Sequence, residues 1–170
     1  LTDNGMTGMM TSYTWMFLSG YQNIRQNVVF NHNLDSLIQP EYHSFFDEAY
    51  VPICTFVIAN QHTGKRGTFI RLERFTGALQ QGPKALEAIK DSKCDYRYSF
   101  DTDLLHLIPG SPLVYWANSS MFDQYTSCPL IQKIAPPKPG LSTGENDRFL
   151  RFWHEADYSR ISFDGLSDKK

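Results

Sequence analysis

The sequence predicts an α/β fold built on an open sheet. Two observations carry this: an apolar, small-residue run from Met6 to Tyr13 passes into a helical pattern, and Val51 to Ala59 is a nearly unbroken β-branched and aromatic run with a second strand-like segment behind it. Asp3-Asn4-Gly5 is a turn signal leading into the first strand, whose composition suits a buried position. Ser19-Gly20-Tyr21-Gln22 has the form of a capping box, so a helix should follow. Tyr21, Ile24 and Val28 then share one face, with Gln22, Arg25 and Gln26 outward, and His32-Asn33 ends the element.

Leu34 to Gln39 is a short strand stopped by Pro40, and Tyr42 to Ala49 is a polar, aromatic loop. The length and composition of Val51 to Ala59 suit a strand buried on both faces. Residues 60–67 form a turn, and Thr68 to Arg74 returns as a strand. The pattern predicts that these two strands pair as an antiparallel hairpin at the edge of a sheet that includes Met6 to Tyr13. Pro83 suits the first turn of a helix carrying Ala85, Leu86 and Ile89 inward. Ser111-Pro112 should open another helix, running to about Tyr125. Pro129 to Pro139 holds four prolines and reads as a linker, with an aromatic run beyond it that starts another domain.

Composition narrows the function classes. With 41% apolar and 20% charged residues the chain is globular, and its net charge of -2 gives no overall nucleic-acid footprint, so a DNA contact must be local. Cys54, Cys94 and Cys128 are widely spaced with no Cys-x-x-Cys pair, as expected of free thiols in a reducing cytoplasm. No apolar run approaches membrane-spanning length, and no metal-ligand spacing or nucleophile elbow is present. His62, Lys65 and Arg66 cluster in the turn before Thr68, where they suit either a phosphate contact or a solvated surface.

The most informative stretch is Gly140-Leu141-Ser142-Thr143-Gly144-Glu145-Asn146-Asp147-Arg148-Phe149-Leu150-Arg151-Phe152-Trp153. It reads as a binding loop entering a strand: Thr143-Gly144 supply the turn, Asn146 and Arg148 offer planar donors, and Phe149 and Trp153 should anchor the next segment in a core. This run resembles a segment of the large adenine-specific DNA methyltransferases of the PglX type, from BREX phage-defence systems and their type IIG restriction-modification relatives. Other segments resemble the family in the same order. Met10 to Leu18 with Tyr21 and Ile24-Arg25 is similar to the strand-to-helix passage after the catalytic motif. Ser36 to Gln39 and then Val51 to Ile58 is similar to the strand pair closing the methyltransferase sheet, and Ile108 to Pro112 with Tyr115-Trp116 to the connector beyond it.

The resemblance implies a Rossmann-like, S-adenosylmethionine-dependent sheet, with residues 1–80 the C-terminal part of the catalytic domain. Residues 81–138 would be a helical connector and linker, and residues 139–170 the start of the DNA target-recognition region. It implies methyl transfer to an adenine amino group after the base is flipped out. The glycine-rich cofactor loop and the Asn/Asp-Pro-Pro-Tyr/Phe loop are missing: the Pro136-Pro137 pair lies between Ala135 and Lys138, and Gly5-Met6-Thr7-Gly8 is too sparse. Residue 1 is therefore expected to be an internal cut, with S-adenosylmethionine used by the intact protein and no catalytic residue or activity in this piece. Phe46, five positions before Val51, matches the family aromatic that packs on the flipped base, with Phe45 next in line. Both also read as caps on a hydrophobic core. Expected DNA contacts are Thr143, Gly144, Asn146, Arg148, Lys65 and Arg66. Implied partners are double-stranded DNA and other defence-system proteins, in the cytoplasm. The rival reading is a non-catalytic DNA-binding or scaffold module.

Overall fold

The structure, a computed structural model, describes residues 2–44, 51–61, 64–136 and 144–161. The chain divides into two compact units, Leu1–Cys128 and Pro129–Lys170. The first holds a five-stranded mixed sheet: β1 (Met6–Ser12), β2 (Asn33–Gln39), β3 (Ile53–Ala59), β4 (Gly67–Arg71) and β5 (Arg97–Phe100), in the order β1-β3-β2-β4-β5. β3 runs antiparallel to both β1 and β2, and β4 runs parallel to β2 and antiparallel to β5.

This order corrects the predicted hairpin. Residues 53–59 and 67–71 are separated by β2, because the turn between them carries the chain across that strand. The pairing implied by resemblance, residues 36–39 with 53–59, does form, from Ser36 opposite Val57 to Ile38 opposite Thr55. β1 is an edge strand, and Met6 and Met10 are largely exposed where a buried strand was expected. β3 also differs from expectation: Cys54, Phe56 and Ile58 are buried while Thr55, Val57 and Ala59 are only half-covered, the alternation of a strand with one open face.

On the covered face, α1 (Gln22–Phe30) packs with a connector around Met16, Val29, Leu37, Phe56, Phe69 and Leu113. On the other face α2 (Ala78–Lys90) covers the β4–β5 end, through Ala88 in a cluster with Ile70, Leu72 and Tyr96 that Ile38 of β2 also joins. Ser19 opens a short 3-10 turn rather than capping α1, whose N-terminus has no side-chain cap. α2 starts before Pro83, at Ala78 after Gly77 (φ +89°), so Leu86 and Ile89 turn outward and Gln81 and Ala88 inward. Pro83 removes the hydrogen bond to the carbonyl of Leu79, a residue in open solvent where water replaces it. No helix starts at Ser111, which sits at φ +47° in a tight turn with Gly110; α3 (Ser119–Ser127) begins later, where Asn118 Oδ1 accepts the Met121 N–H at 3.0 Å.

Arg25 is the largest departure from the expected helix face. It is 1% exposed, and its guanidinium donates five hydrogen bonds to carbonyls alone. Nη1 reaches Trp15 O (2.8 Å) and Leu18 O (2.6 Å), Nη2 reaches Gly110 O (2.7 Å), and Nε is shared between Gly110 O and Ser111 O. The side chain thus fastens the turn after β1 to the Gly110-Ser111 turn, which lies 85 residues beyond Arg25 in sequence. A fork of five donors can serve the carbonyls of two separate turns at once.

In the second unit the described residues form α4 (Ile131–Ile134), α5 (Asn146–Phe149) and two 3-10 turns. The strand expected after Gly144 is absent among them: local bonds such as Phe149 N–H to Glu145 O (3.2 Å) and Leu150 N–H to Asn146 O (2.8 Å) close a helical turn instead. Phe149 and Trp153 are 56% and 82% exposed, so neither anchors a core within the described residues.

Candidate functional site

Parallel strands of an open α/β sheet present their carboxyl ends to ligands, because the loops there diverge and leave a crevice. β1, β2 and β4 point the same way and end at Ser12, Gln39 and Arg71. Around these ends the first unit gathers aromatic and ionisable side chains. Gln39, the last residue of β2, faces the covered side of the sheet and is fully buried. Its Oε1 accepts the Tyr115 hydroxyl (2.6 Å) and its Nε2 donates to Glu73 Oε1 (2.6 Å). Glu73 Oε2 accepts Arg71 Nε at 2.8 Å, and the Arg71 guanidinium lies 3.9 Å above the Trp116 ring. Trp116 follows Tyr115 in the chain, so the circuit closes on itself. Burial pushes the Tyr115 phenol well above its ordinary pKa, which keeps it a donor.

An aromatic file runs alongside. Tyr42 and Tyr13 meet at 6.4 Å between ring centroids, Tyr13 and Phe17 at 6.1 Å, and Phe17 and Trp116 at 5.9 Å. The Tyr13 phenol is raised in pKa by burial first and then by the negative charges of Glu73 and Glu41 and by Tyr42, with Arg71 opposing. Gln81, also buried, holds the chain just past β2: its Oε1 accepts the Glu41 N–H at 3.1 Å while its Nε2 donates to Phe75 O. Ser44 Oγ donates to Glu41 Oε2 at 2.7 Å. The start of the β2–β3 connection is thereby held from α2.

Phe45 and Phe46 lie outside the described residues, as do His62 and Thr143. Lys65 and Arg66 precede β4 and so belong to the opposite edge of the sheet from Gln39 and Arg71, where Arg66 Nη2 donates to Ser99 O at 2.6 Å. Gly144, Asn146 and Arg148 belong to the second unit. Gly144 has φ +68°, a conformation that favours glycine, and Arg148 pairs with Glu145 at 3.6 Å on the surface and lies over Phe149. Sequence reasoning passes over Tyr13, Gln39, Arg71, Glu73 and Trp116. The available signal is positional: each strand's last residue, or the few after it, is polar or aromatic where the preceding run is apolar.

The glycines here do not fit an S-adenosylmethionine cradle. Gly5 sits in a turn, its N–H bonded to Thr2 O at 2.8 Å, and Gly8 lies within β1 opposite Val57. Among the described residues no helix is long and apolar enough to cross a membrane.

No family model matches the chain. It is 32% identical over 169 residues, 95% of its length, to the adenine-specific methyltransferase PglX of Lacticaseibacillus casei (strain Zhang). It is 28% identical over 170 residues, 98% of its length, to the adenine-specific methyltransferase BrxX of Escherichia coli O9:H4 (strain HS). The chain spans 14% and 13% of the lengths of these two relatives. A chain from a solved type I R-M system assembly aligns with 78% of this one and 31% of itself, at a TM-score of 0.47 and 10% identity. The resemblance read from the ordered sequence segments is borne out: over nearly its whole length the chain is similar to a segment of PglX-like adenine-specific methyltransferases.

Proposed function

We propose that this chain, similar throughout to a segment of PglX-like methyltransferases, is the part of such an enzyme that closes its Rossmann-like sheet and leads into its target-recognition region. The observation that carries the reading is similarity along almost the entire chain to two adenine-specific methyltransferases. The antiparallel insertion of β3 beside β2 supports it, since the resemblance assigns the sheet-closing pair to those residues. Residues 1–80 would complete the catalytic domain, 81–138 connect, and 139–170 begin target recognition.

In this reading the longer protein methylates adenine in duplex DNA, using S-adenosylmethionine bound by residues that this segment does not supply. The setting is BREX-type phage defence or restriction-modification in the cytoplasm, with other defence proteins as partners. Phe46, with Phe45 beside it, stacks on the extruded base. Gly144, Asn146 and Arg148, with Thr143, Lys65 and Arg66, hold the DNA backbone.

The test is a labelled-methyl assay on duplex DNA with the longer protein. Phe46→Ala should lower methylation more than S-adenosylmethionine binding, and the 170-residue chain alone should transfer no methyl group. Methyl transfer by the isolated chain, or no adenine methylation by the longer protein, overturns the reading.

A further inference from the structure

Pro40, which has no N–H, ends the ladder that β2 makes, and the next donor along the chain, the Glu41 N–H, leaves the sheet for a side chain. That side chain is Gln81 of α2, 2% exposed and 40 positions away, whose Oε1 accepts the bond at 3.1 Å. Its Nε2 donates to Phe75 O and, at 3.5 Å, to Gly77 O, so both ends of the amide are spent on backbone. Ser44 is buried as well. Its N–H reaches Glu41 O at 3.3 Å and its Oγ donates to Glu41 Oε2 at 2.7 Å, which closes residues 41–44 into a turn pinned at its first residue from α2. A buried amide adds less stability than an apolar side chain filling the same space, and each of its ends needs a partner; what it supplies is direction.

We propose that Gln81 is a positioning residue for methyl transfer: it sets the path on which the chain leaves β2, and through that path it places Phe46, two residues beyond Ser44. This rests on the reading of the longer protein as an adenine methyltransferase in which Phe46 stacks on the extruded base. Gln81 acts through the turn, not on the substrate. A group that holds a reactant works over a narrow range of positions, and a displacement of about 1 Å can cost up to about a hundredfold in rate. An apolar side chain at position 81 would fill the space but take the acceptor from the Glu41 N–H, leaving the turn more than one path.

The experiment uses the longer protein with Gln81→Met, Ser44→Ala and Phe46→Ala. Gln81→Met keeps the length of the side chain and removes both ends of the amide, and Ser44→Ala loosens the same turn by a smaller change. Hydrogen exchange should quicken in peptides covering residues 41–44 and match the parent elsewhere. Labelled-methyl transfer to duplex DNA should slow about tenfold in kcat for Gln81→Met, with KM for S-adenosylmethionine unchanged. In a Phe46→Ala background the same substitution should cost less than about twofold, because the ring it positions is gone. A glutamine that only stabilises the fold would instead act additively with Phe46→Ala. Additive losses, unaltered exchange in the turn, or methylation that Phe46→Ala leaves unchanged overturns the proposal. Should Gln81→Met fail to fold, Ser44→Ala answers the same readouts. No adenine methylation by the unsubstituted longer protein sinks the functional reading and the proposal with it, whereas normal methylation with additive variants sinks the proposal alone.

Discussion

Replacing Arg25 with methionine tests whether one buried side chain holds the first unit's connector onto its sheet. Methionine keeps most of the aliphatic volume and removes all five donated bonds, leaving the carbonyls of Trp15, Leu18, Gly110 and Ser111 without that partner. A hydrogen bond from a charged donor contributes about 1.5–3 kcal/mol. The bonds are not additive, since two share an acceptor and water enters part of the gap, so the expected loss is about 3–5 kcal/mol rather than their sum. Against a typical domain stability of about 5–15 kcal/mol, that leaves a folded but fragile protein. Urea unfolding followed by tryptophan fluorescence reads it directly: at a slope of about 2 kcal/mol per molar, the midpoint should fall by about 2 M with the slope unchanged. Arg25→Lys, with three donors on one point, should recover part of the loss. Because the partners are all carbonyls, which do not titrate, the loss should be the same near pH 5 and pH 8. A loss below about 1 kcal/mol, or one that vanishes at acid pH, refutes the reasoning.

Gly67→Ala should destabilise by about 2 kcal/mol or more, since the added methyl meets Leu34 O and the Phe69 ring where β4 passes β2; a calorimetric melt unchanged from the parent would contradict it. Tyr115→Phe strips the donor from the buried Gln39 Oε1 and should cost about 1–2 kcal/mol near neutral pH. Its folded pKa is raised, so the unfolded chain releases that proton first and the tyrosine's contribution is lost as pH rises above its ordinary value of 10.0. Stability of the parent should therefore fall in alkali more steeply than that of Tyr115→Phe, measured by urea midpoints across that range. In the longer protein, Arg148→Ala should weaken binding to all DNA sequences alike and lower the salt slope by about one; unchanged affinity and slope would leave Arg148 a surface residue paired with Glu145.

The apolar runs make the strands at 33–39 and 53–59 legible, and the helix at 22–30 as well, because burial imposes a period on residue type. Adjacency is not legible by the same route. Nearness in sequence favours pairing Val51 to Ala59 with the next strand, whereas β2 stands between them, and the signal for that comes from the ordered resemblance to the methyltransferase segment. Arg25 reads outward because charge usually means solvent, yet a fork of five donors suits two distant turns whose carbonyls the sequence cannot pair in advance. The edge cluster is hidden for a similar reason. Gln39, Arg71 and Trp116 lie far apart in sequence and meet only once three strands end at one level. In the second unit aromatic content suggests a core, but Phe149 and Trp153 lie in short turns closed by local bonds and stay exposed.

β3 has one more consequence, for how the first unit is assembled. β1 and β2 never touch by hydrogen bonds; each pairs with β3, which is made after both. Within this segment two strands are thus made before the strand that both of them pair with, and the closing step threads a third strand between two earlier ones. Loop-closure entropy is spent before any ladder forms, which makes this insertion a slow event. Until it happens, Leu34 and Leu37 of β2, buried in the finished sheet, stand open, so the interval before β3 docks exposes this segment to aggregation and to chaperone capture.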